Sequence, residues 1–300
     1  MNFFKKEICF ILISLIFLLV GCSGTETETG EAGKIYTDTL GREVLISQTP
    51  EKVVSLSPAI TEILFALEQD DKIVGTTDYC DYPEAALNKP KVGNFENPNL
   101  ELIVASEPDL VFVAAGVQSD LIDKFEELGI KVFCLDAETL EEVIRNIELT
   151  GQIMGAEDIA QNIAQDMRAR MNNVIEKVKG LDRPLVFYEV WDDPLMSAGP
   201  GSFIDDLINL AGGENLAKDA ASRYPQINFE VVVERNPDIY IAVNHYKENE
   251  IIARPSYDSL KAVQTGNVYT IEDDLVTLPG PRIIIGLEQM AKIIHPEVFN

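Results

Sequence analysis

Cys22 is the residue whose surroundings most directly indicate a chemical modification. It follows a basic region that contains Lys5 and Lys6, and an apolar run from Ile8 to Val20. This order is typical of a lipoprotein signal peptide, and the run is shorter than the about 20 residues of a membrane-spanning helix. The sequence predicts cleavage after residue 21, acylation of the Cys22 thiol and a lipid anchor at the extracytoplasmic face of the cell membrane. An ordinary secretion signal that happens to precede a cysteine is the alternative.

The stretch after Cys22 is predicted to be a flexible tether. Thr25 to Gly33 is polar and acidic and contains glycines, so it has nothing to bury. We extend the tether over residues 22–50 and expect the globular part to begin at residue 51.

Catalytic chemistry is not indicated by the remaining residues. The sequence has no nucleophile elbow, phosphate-binding loop, zinc signature or Gly-rich dinucleotide turn. Asp192-Asp193 and Asp205-Asp206 are adjacent carboxylates, and neighbours in a strand or helix point to different faces, so they make poor acid–base pairs. The sequence therefore predicts a protein that is not an enzyme and that has neither cofactor nor metal.

Net charge indicates which partners are excluded, and the cysteine content shows which thiols remain in the mature chain. The chain has 24 lysines and arginines against 50 acidic residues, a net charge of −26, so phosphate backbones are repelled and nucleic acid is excluded as a partner. Cys80 and Cys134 are the thiols that remain once Cys9 leaves with the signal peptide and Cys22 is acylated. Sequence does not show whether they pair, and we expect two independent thiols, one of them buried.

An internal repeat predicts two similar lobes. Asn99 to Val113 aligns without gaps with Asn228 to Ala242. In each copy a short helix precedes a Pro-Asp turn and an apolar run typical of a buried parallel strand. A unit that occurs twice, far apart in the chain, indicates two lobes of similar architecture.

The elements around the repeat indicate an α/β fold. Strand and helix patterns alternate in both halves; the strands are predicted at Val53–Leu56, Ile73–Thr76, Leu110–Ala114, Val132–Leu135, Leu185–Tyr188, Ile239–Val243 and Val268–Ile271. Ala156 to Lys179 is rich in helix-forming residues and lacks Pro and Gly. We predict lobes at residues 51–155 and 181–300, each a parallel sheet flanked by helices, joined by one long rigid helix at 156–180, with a ligand cleft between the lobes.

An ordered set of motifs resembles a known family. The motifs are Ser55–Glu62, Asp78–Pro83, Val92–Phe95, Ala211–Asn215 and Pro281–Ile284, together with the Asn-Leu-Glu and Pro-Asp elements of the repeat. They resemble the helical-backbone class (class III) of solute-binding proteins, which serves ABC importers of cobalamin, haem and iron-siderophores. Within this class the chain is most similar to cobalamin-binding proteins, through Tyr79 and the stretch Ser222–Gln226.

The resemblance implies a set of ligand-contacting residues. Tyr79 and Phe95 match positions on the first-lobe wall, and Tyr224 matches an aromatic on the second-lobe wall. Trp191 follows a strand and is a fourth candidate, and Arg282, at a helix start, either hydrogen-bonds the ligand or steadies its own loop. A corrinoid is a broad, partly apolar disc fringed with amides, which suits aromatic walls with a few hydrogen-bonding groups.

Other positions qualify this interpretation. Ala114 and Ala115 occupy positions where cobalamin-binding relatives can carry another aromatic. This chain therefore offers less aromatic surface to a corrinoid at that part of the first-lobe wall. We assign Tyr82 and Tyr188 to the hydrophobic core. The resemblance also implies that Glu101 and Glu230, equivalent in the two copies of the repeat, meet arginines of a permease dimer while this chain acts as a monomer.

Three alternatives remain open. Haem or a ferric siderophore is an alternative ligand within the class, and His245 or Tyr246 is then a candidate iron ligand. His295 ends the last predicted helix and is expected to be a helix-terminal residue. A surface lipoprotein enzyme and a structural or adhesive surface lipoprotein are the other two possibilities.

Overall fold

The computed structural model describes residues 33–299, and this part begins with a two-stranded hairpin. Strands β1 (Lys34–Thr37) and β2 (Glu43–Ile46) pair antiparallel. In the turn between them, the Asp38 carboxylate accepts hydrogen bonds from the backbone N–H groups of Leu40 and Arg42. Each strand has only four residues, and short strands need such a turn to fix their register.

The hairpin corrects the predicted extent of the tether. Tyr36 and Ile46 are buried against the first lobe, and the Tyr36 hydroxyl donates to the carbonyl of Gln152 at 3.0 Å. Residues 34–46 are therefore part of the folded body, because their inward-facing side chains have a surface on which to pack. Residues 22–32 of the tether, the signal peptide and Cys22 lie outside the described residues.

The first lobe contains a four-stranded parallel sheet. Its strands are β3 (Val53–Ser55), β4 (Ile73–Thr76), β5 (Leu110–Val113) and β6 (Val132–Cys134). The spatial order is β4-β3-β5-β6, and every pairing is parallel. Apolar clusters cover both faces, which explains why these strands are unbroken apolar runs. The four strands predicted for this lobe are confirmed.

Three helices cover this sheet: α1 (Pro58–Ala66), α2 (Leu100–Ala105) and α3 (Ser119–Glu127). A proline starts α1, where its missing N–H costs no helical hydrogen bond. Asn99 caps α2 by accepting a hydrogen bond from the N–H of Leu102.

A pair of long helices joins the lobes. Helix α4 (Leu140–Met154) ends at Gly155, whose φ of +72° is the left-handed conformation common at helix ends. Helix α5 (Glu157–Val178) has 22 residues, a length of about 33 Å at 1.5 Å per residue. The predicted connecting helix at 156–180 is thus present. Helix α4 packs along it, a partner that the sequence analysis did not single out.

The second lobe contains a five-stranded sheet. Its strands are β7 (Leu185–Asp192), β8 (Leu195–Ser197), β9 (Glu214–Asn215), β10 (Ile239–Val243) and β11 (Val268–Ile271). The order is β11-β10-β7-β8, with β9 also paired to β7. All pairings are parallel except that of β7 with β8. The predicted two-lobed α/β fold is therefore confirmed.

The helices of the second lobe surround this sheet. They are α6 (Phe203–Leu210), α7 (Phe229–Arg235), α8 (Glu248–Ile252), α9 (Lys261–Gln264), α10 (Asp274–Thr277) and α11 (Ile283–Ile294). One continuous apolar cluster contains residues of α4, α5, α6 and α11 together with Ile63 and Leu67. The two lobes therefore share part of their core and are braced by it. Within residues 33–299, no helix combines the length and the apolar character that crossing a membrane requires.

The internal repeat corresponds to a similar structural unit in the two lobes, a short helix followed by a parallel strand. The Asp109 carboxylate accepts hydrogen bonds from the backbone N–H groups of Glu51 and Lys52 at 2.9 Å, just before β3. The Asp238 carboxylate accepts from the N–H of Leu185 at 2.8 Å, at the start of β7. In each lobe the Pro-Asp aspartate thus clamps the amino end of a neighbouring strand, which explains why both copies keep this pair.

Candidate ligand cleft between the lobes

Segments that follow the carboxyl ends of the strands meet at the lobe boundary. Glu62 in α1 forms an ion pair with Arg282, which precedes α11. Glu138, which follows β6, pairs with Arg223 of the second lobe. Both sheets therefore direct the carboxyl ends of their strands toward the opposite lobe, where parallel α/β sheets bind ligands.

Tyr79 lies in a tight turn after β4. The Thr77 carbonyl accepts a hydrogen bond from the N–H of Cys80 at 3.2 Å, and the N–H of Asp78 donates to the Gly93 carbonyl at 2.9 Å. Asp78 and Tyr79 are the central residues of this turn, and the Tyr79 side chain is 63% exposed. The turn leaves the aromatic ring exposed to solvent, and its place on a ligand-binding wall stays a prediction.

A buried glutamine fixes the loop that carries Phe95. The side-chain amide of Gln118 donates to the carbonyls of Leu56 and Phe95, at 2.7 and 2.8 Å, and its oxygen accepts from the N–H of Ala114 at 2.9 Å. Gln118 is fully buried, and it joins three segments behind the first-lobe wall. Sequence reasoning missed it, because a glutamine just before a helix gives no sign that it is buried.

Gly93 connects the Tyr79 turn to the Phe95 loop. Its φ is +102°, a conformation that glycine adopts without strain. A Cβ at this position would lie 2.9 Å from the backbone nitrogen of Asn99. Phe95 itself is half-buried, as are Ala114 and Ala115.

Trp191 and His245 form an aromatic face on the second lobe. The Trp191 side chain is 47% exposed, its Nε1 donates to the carbonyl of Asp193 at 2.9 Å, and its ring centroid lies 6.5 Å from that of His245. The hydroxyl of the adjacent Tyr246 donates to the Asp192 carboxylate at 2.8 Å. Burial and this hydrogen bond raise the pKa of Tyr246 to about 12.

Tyr224 lies near carboxyl groups from both lobes. Burial raises its pKa and the neighbouring Arg223 guanidinium opposes this, while the charges of Asp273, which follows β11, and of Asp136, which follows β6, raise it. Burial also raises the pKa of both carboxyl groups. Tyr224 is 42% exposed and follows Arg223, whose ion pair with Glu138 spans the lobe boundary.

Arg282 bridges the two lobes. Its Nε and Nη2 donate to the two carboxylate oxygens of Glu62 at 3.0 and 2.6 Å, and the two side chains are only 14% and 3% exposed. Burial raises the pKa of Glu62, although the Arg282 guanidinium opposes part of this effect. Of the two roles that the sequence allows for Arg282, these contacts favour steadying its loop and the neighbouring lobe.

The assignment of Tyr82 to the core was wrong. Its ring lies 3.8 Å from the Arg282 guanidinium and covers it from the solvent side, so the side chain is 46% exposed. Tyr188 is fully buried, as predicted. A cavity of about 300 Å³ lies beside Arg282, between Phe65 and Ile285, which is at the small end of ligand pockets.

The arginines of the second lobe near the boundary are all paired with carboxylates. Arg254 forms an ion pair of 2.6 Å with the fully buried Glu189 and lies 4.9 Å from the centroid of the Tyr246 ring. Arg223 pairs with Glu138, and Arg282 pairs with Glu62. The cleft therefore offers aromatic and neutral polar groups to a ligand in preference to free positive charge.

The remaining candidates differ in burial and surroundings. Glu101 and Glu230 are exposed in the first turns of α2 and α7, at equivalent positions of the repeat. Cys80 and Cys134 are both buried and do not pair. In the part of the chain that the structure describes, no three His, Cys, Asp or Glu side chains are grouped as a metal site requires. His295 is buried at the end of α11 and contacts the Gly212 carbonyl at 3.3 Å.

Comparison with known proteins identifies the fold and the family. Residues 53–275 match the periplasmic binding protein family. This chain belongs to that family. The match covers both lobes and confirms the resemblance to the solute-binding proteins of ABC importers.

Individual binding proteins are similar over 81–96% of this chain. The ABC transporter substrate-binding lipoprotein YvrC of Bacillus subtilis, itself uncharacterized, is 31% identical over 305 positions, 96% of each chain. The vitamin B12-binding protein of Vibrio vulnificus is 29% identical over 81% of this chain and 89% of that protein. The crystal structure of the vitamin B12 binding protein BtuF of Vibrio cholerae matches with a TM-score of 0.76 and 28% identity, over 82% of this chain and 97% of that one.

Proposed function

We propose that this periplasmic binding protein captures a corrinoid in the cleft between its lobes and delivers it to the permease of an ABC importer. The observation that carries the choice of ligand is the pair of exposed aromatics, Tyr79 on the first lobe and Trp191 on the second. Broad apolar discs bind to such faces, and amide groups at the rim need neutral polar partners. The vitamin B12-binding relatives support the same ligand class.

The polar part of the boundary suits an amide fringe. An amide both donates and accepts hydrogen bonds. The Tyr224 hydroxyl can donate a hydrogen bond to an amide carbonyl. The Asp136 and Asp273 carboxyl groups accept from amide N–H groups. We propose that these three groups set the orientation of the ligand, with Tyr79, Phe95 and Trp191 supplying most of the contact area.

Haem is the second candidate ligand, and the exposed His245 beside Trp191 favours it. A neutral imidazole is a common axial ligand of haem iron. Tyr246 is a less favourable iron ligand, since its hydroxyl donates to the Asp192 carboxylate at 2.8 Å, a hydrogen bond that iron ligation would break. Haem propionates and ferric siderophores also favour free basic groups, whereas the arginines of this boundary are paired. The contacts therefore favour the corrinoid.

A titration of the chain from Gly33 onward tests the ligand. Cyanocobalamin, haemin and a ferric hydroxamate are added separately, and emission of Trp191, the only tryptophan, is followed. We expect saturable quenching by cyanocobalamin, and a higher Kd in Tyr79→Ala. Equilibrium dialysis of Trp191→Phe must still show binding. Saturation by haemin alone, with a Soret shift that His245→Ala removes, would replace the corrinoid by haem.

We further propose that Glu101 and Glu230 dock on arginines of the two permease subunits. Their equivalence in the repeat supports this, because two like carboxylates on two like lobes match a dimer with two-fold symmetry. Glu101→Arg with Glu230→Arg should abolish stimulation of the transporter ATPase and leave ligand binding intact. Glu127→Arg with Glu248→Arg, one exposed glutamate per lobe outside the repeat, is the matched control. Equal loss in both double variants would contradict specific docking.

We also propose that a lipid on Cys22 anchors the protein to the membrane. The lipoprotein relative supports it, and tethering raises the concentration of the protein beside a membrane permease. Cells that express Cys22→Ala should release the protein from the membrane fraction and should not incorporate labelled fatty acid into it. Unchanged membrane retention and labelling would exclude Cys22 as the acylation site.

A further inference from the structure

Lys91 lies directly behind the turn that presents Tyr79. Its Nζ contacts the carbonyl oxygens of Cys80, Thr77 and Ala86 at 2.8, 3.2 and 3.4 Å, and the hydroxyl of Thr76 at 3.3 Å. The side chain is half-buried. An ammonium group has three hydrogens to donate, and here they are directed at four neutral oxygens of one short segment.

Two of these oxygens belong to the ends of the Tyr79 turn. Thr77 and Cys80 are the first and last residues of that turn, so a single ammonium group holds both ends together. Lys89, two residues earlier, is a lysine of similar burial, but its Nζ pairs with Asp70 at 3.5 Å. The two lysines therefore hold different segments, and only Lys91 touches the Tyr79 turn.

We infer that Lys91 is a positioning residue for ligand recognition. By bonding both ends of the turn it keeps the Tyr79 ring in the orientation that a ligand meets, so less conformational freedom is lost on binding. This inference rests on the proposed ligand contact of Tyr79. It assigns to Lys91 a role that involves no contact with the ligand.

The test compares Lys91→Met with the matched variant Lys89→Met. Hydrogen exchange is measured first, without ligand, for the backbone amides of Asp78 and Cys80. Lys91→Met should speed exchange at both amides at least about tenfold, because the turn loses the hydrogen bonds from Lys91 to the Thr77 and Cys80 carbonyls. Lys89→Met should leave both exchange rates unchanged. Unaltered exchange in Lys91→Met would overturn the inference. Lys91→Gln, which keeps a shorter donor, serves if the Met variant does not fold, and should give an intermediate effect.

Binding of cyanocobalamin is then measured in a double-mutant cycle with Tyr79→Ala. We expect Lys91→Met to raise Kd roughly tenfold, and to have little further effect once Tyr79 is absent. If Lys91 acted on binding independently of Tyr79, the changes in binding free energy of the two single variants would add in the double variant. That result would also overturn the inference. If the wild type does not bind cyanocobalamin, the proposed ligand fails, while the exchange measurement still decides whether Lys91 holds the turn.

Discussion

Breaking the ion pair between Glu62 and Arg282 should destabilise the whole molecule. The pair joins the lobes and is almost completely buried, and removing one partner of a buried pair costs about 3–5 kcal/mol. Arg282 retains Asp274 at 3.5 Å and Glu272 at 4.0 Å, both roughly half exposed. Such exposed partners recover a small part of the loss, so for Glu62→Gln we expect a decrease of about 2–3 kcal/mol in the free energy of unfolding.

Urea unfolding at pH 7, followed by far-UV circular dichroism, measures this loss. With a denaturant slope of about 3 kcal/mol per molar, the midpoint should fall by roughly 1 M. Glu176→Gln is the control, because its pair with Lys179 is exposed and exposed pairs contribute about 0–1 kcal/mol. Replacing both partners, as Glu62→Leu with Arg282→Met, should bring stability back to within about 1 kcal/mol of wild type. A loss below about 1 kcal/mol in Glu62→Gln would refute the view that this pair braces the lobes.

Three further predictions concern residues of the first lobe. Gly93→Ala should lower the free energy of unfolding by about 1–3 kcal/mol in urea titrations, since the φ of +102° is strained for alanine. Gln118→Ala should cost about 2–3 kcal/mol in the same assay, because one buried and two partly buried backbone groups lose their partner. Burial raises the pKa of Asp136 in the folded state, so its ionised form opposes folding at neutral pH and this cost fades on acidification. The free energy of unfolding of Asp136→Asn, minus that of the wild type, should therefore be larger at pH 7 than at pH 4. An equal difference at both pH values would contradict a raised pKa of Asp136 in the folded state.

Much of the fold is predictable because it depends on local patterns. The strand Leu110–Val113 is a continuous apolar run after Pro-Asp, and the same arrangement recurs before Ile239–Val243. Burial on both faces of a parallel sheet requires such runs, so their positions follow from the sequence. The connecting helix is equally clear, because its long stretch without Gly or Pro favours one structure.

The site is less predictable because its contacts span long distances in sequence. Glu62 and Arg282 are 220 positions apart, and neither residue alone shows that the other neutralises it. Tyr82 was assigned to the core because an aromatic next to proline gives no sign of the guanidinium that it covers. The hairpin at residues 34–46 was missed for a related reason: its two strands are short, and the surface that buries Tyr36 comes from distant helices.

The Pro-Asp clamps lie at the opposite ends of the sheets from the proposed ligand-contacting residues. Asp109 and Asp238 fasten the amino ends of the strands, whereas Tyr79 and Trp191 lie at the carboxyl ends. Substitutions in the cleft can therefore accumulate without disturbing the bonds that set strand register. Because of this separation, the ligand specificity of the cleft can change during evolution while the fold of both lobes is preserved.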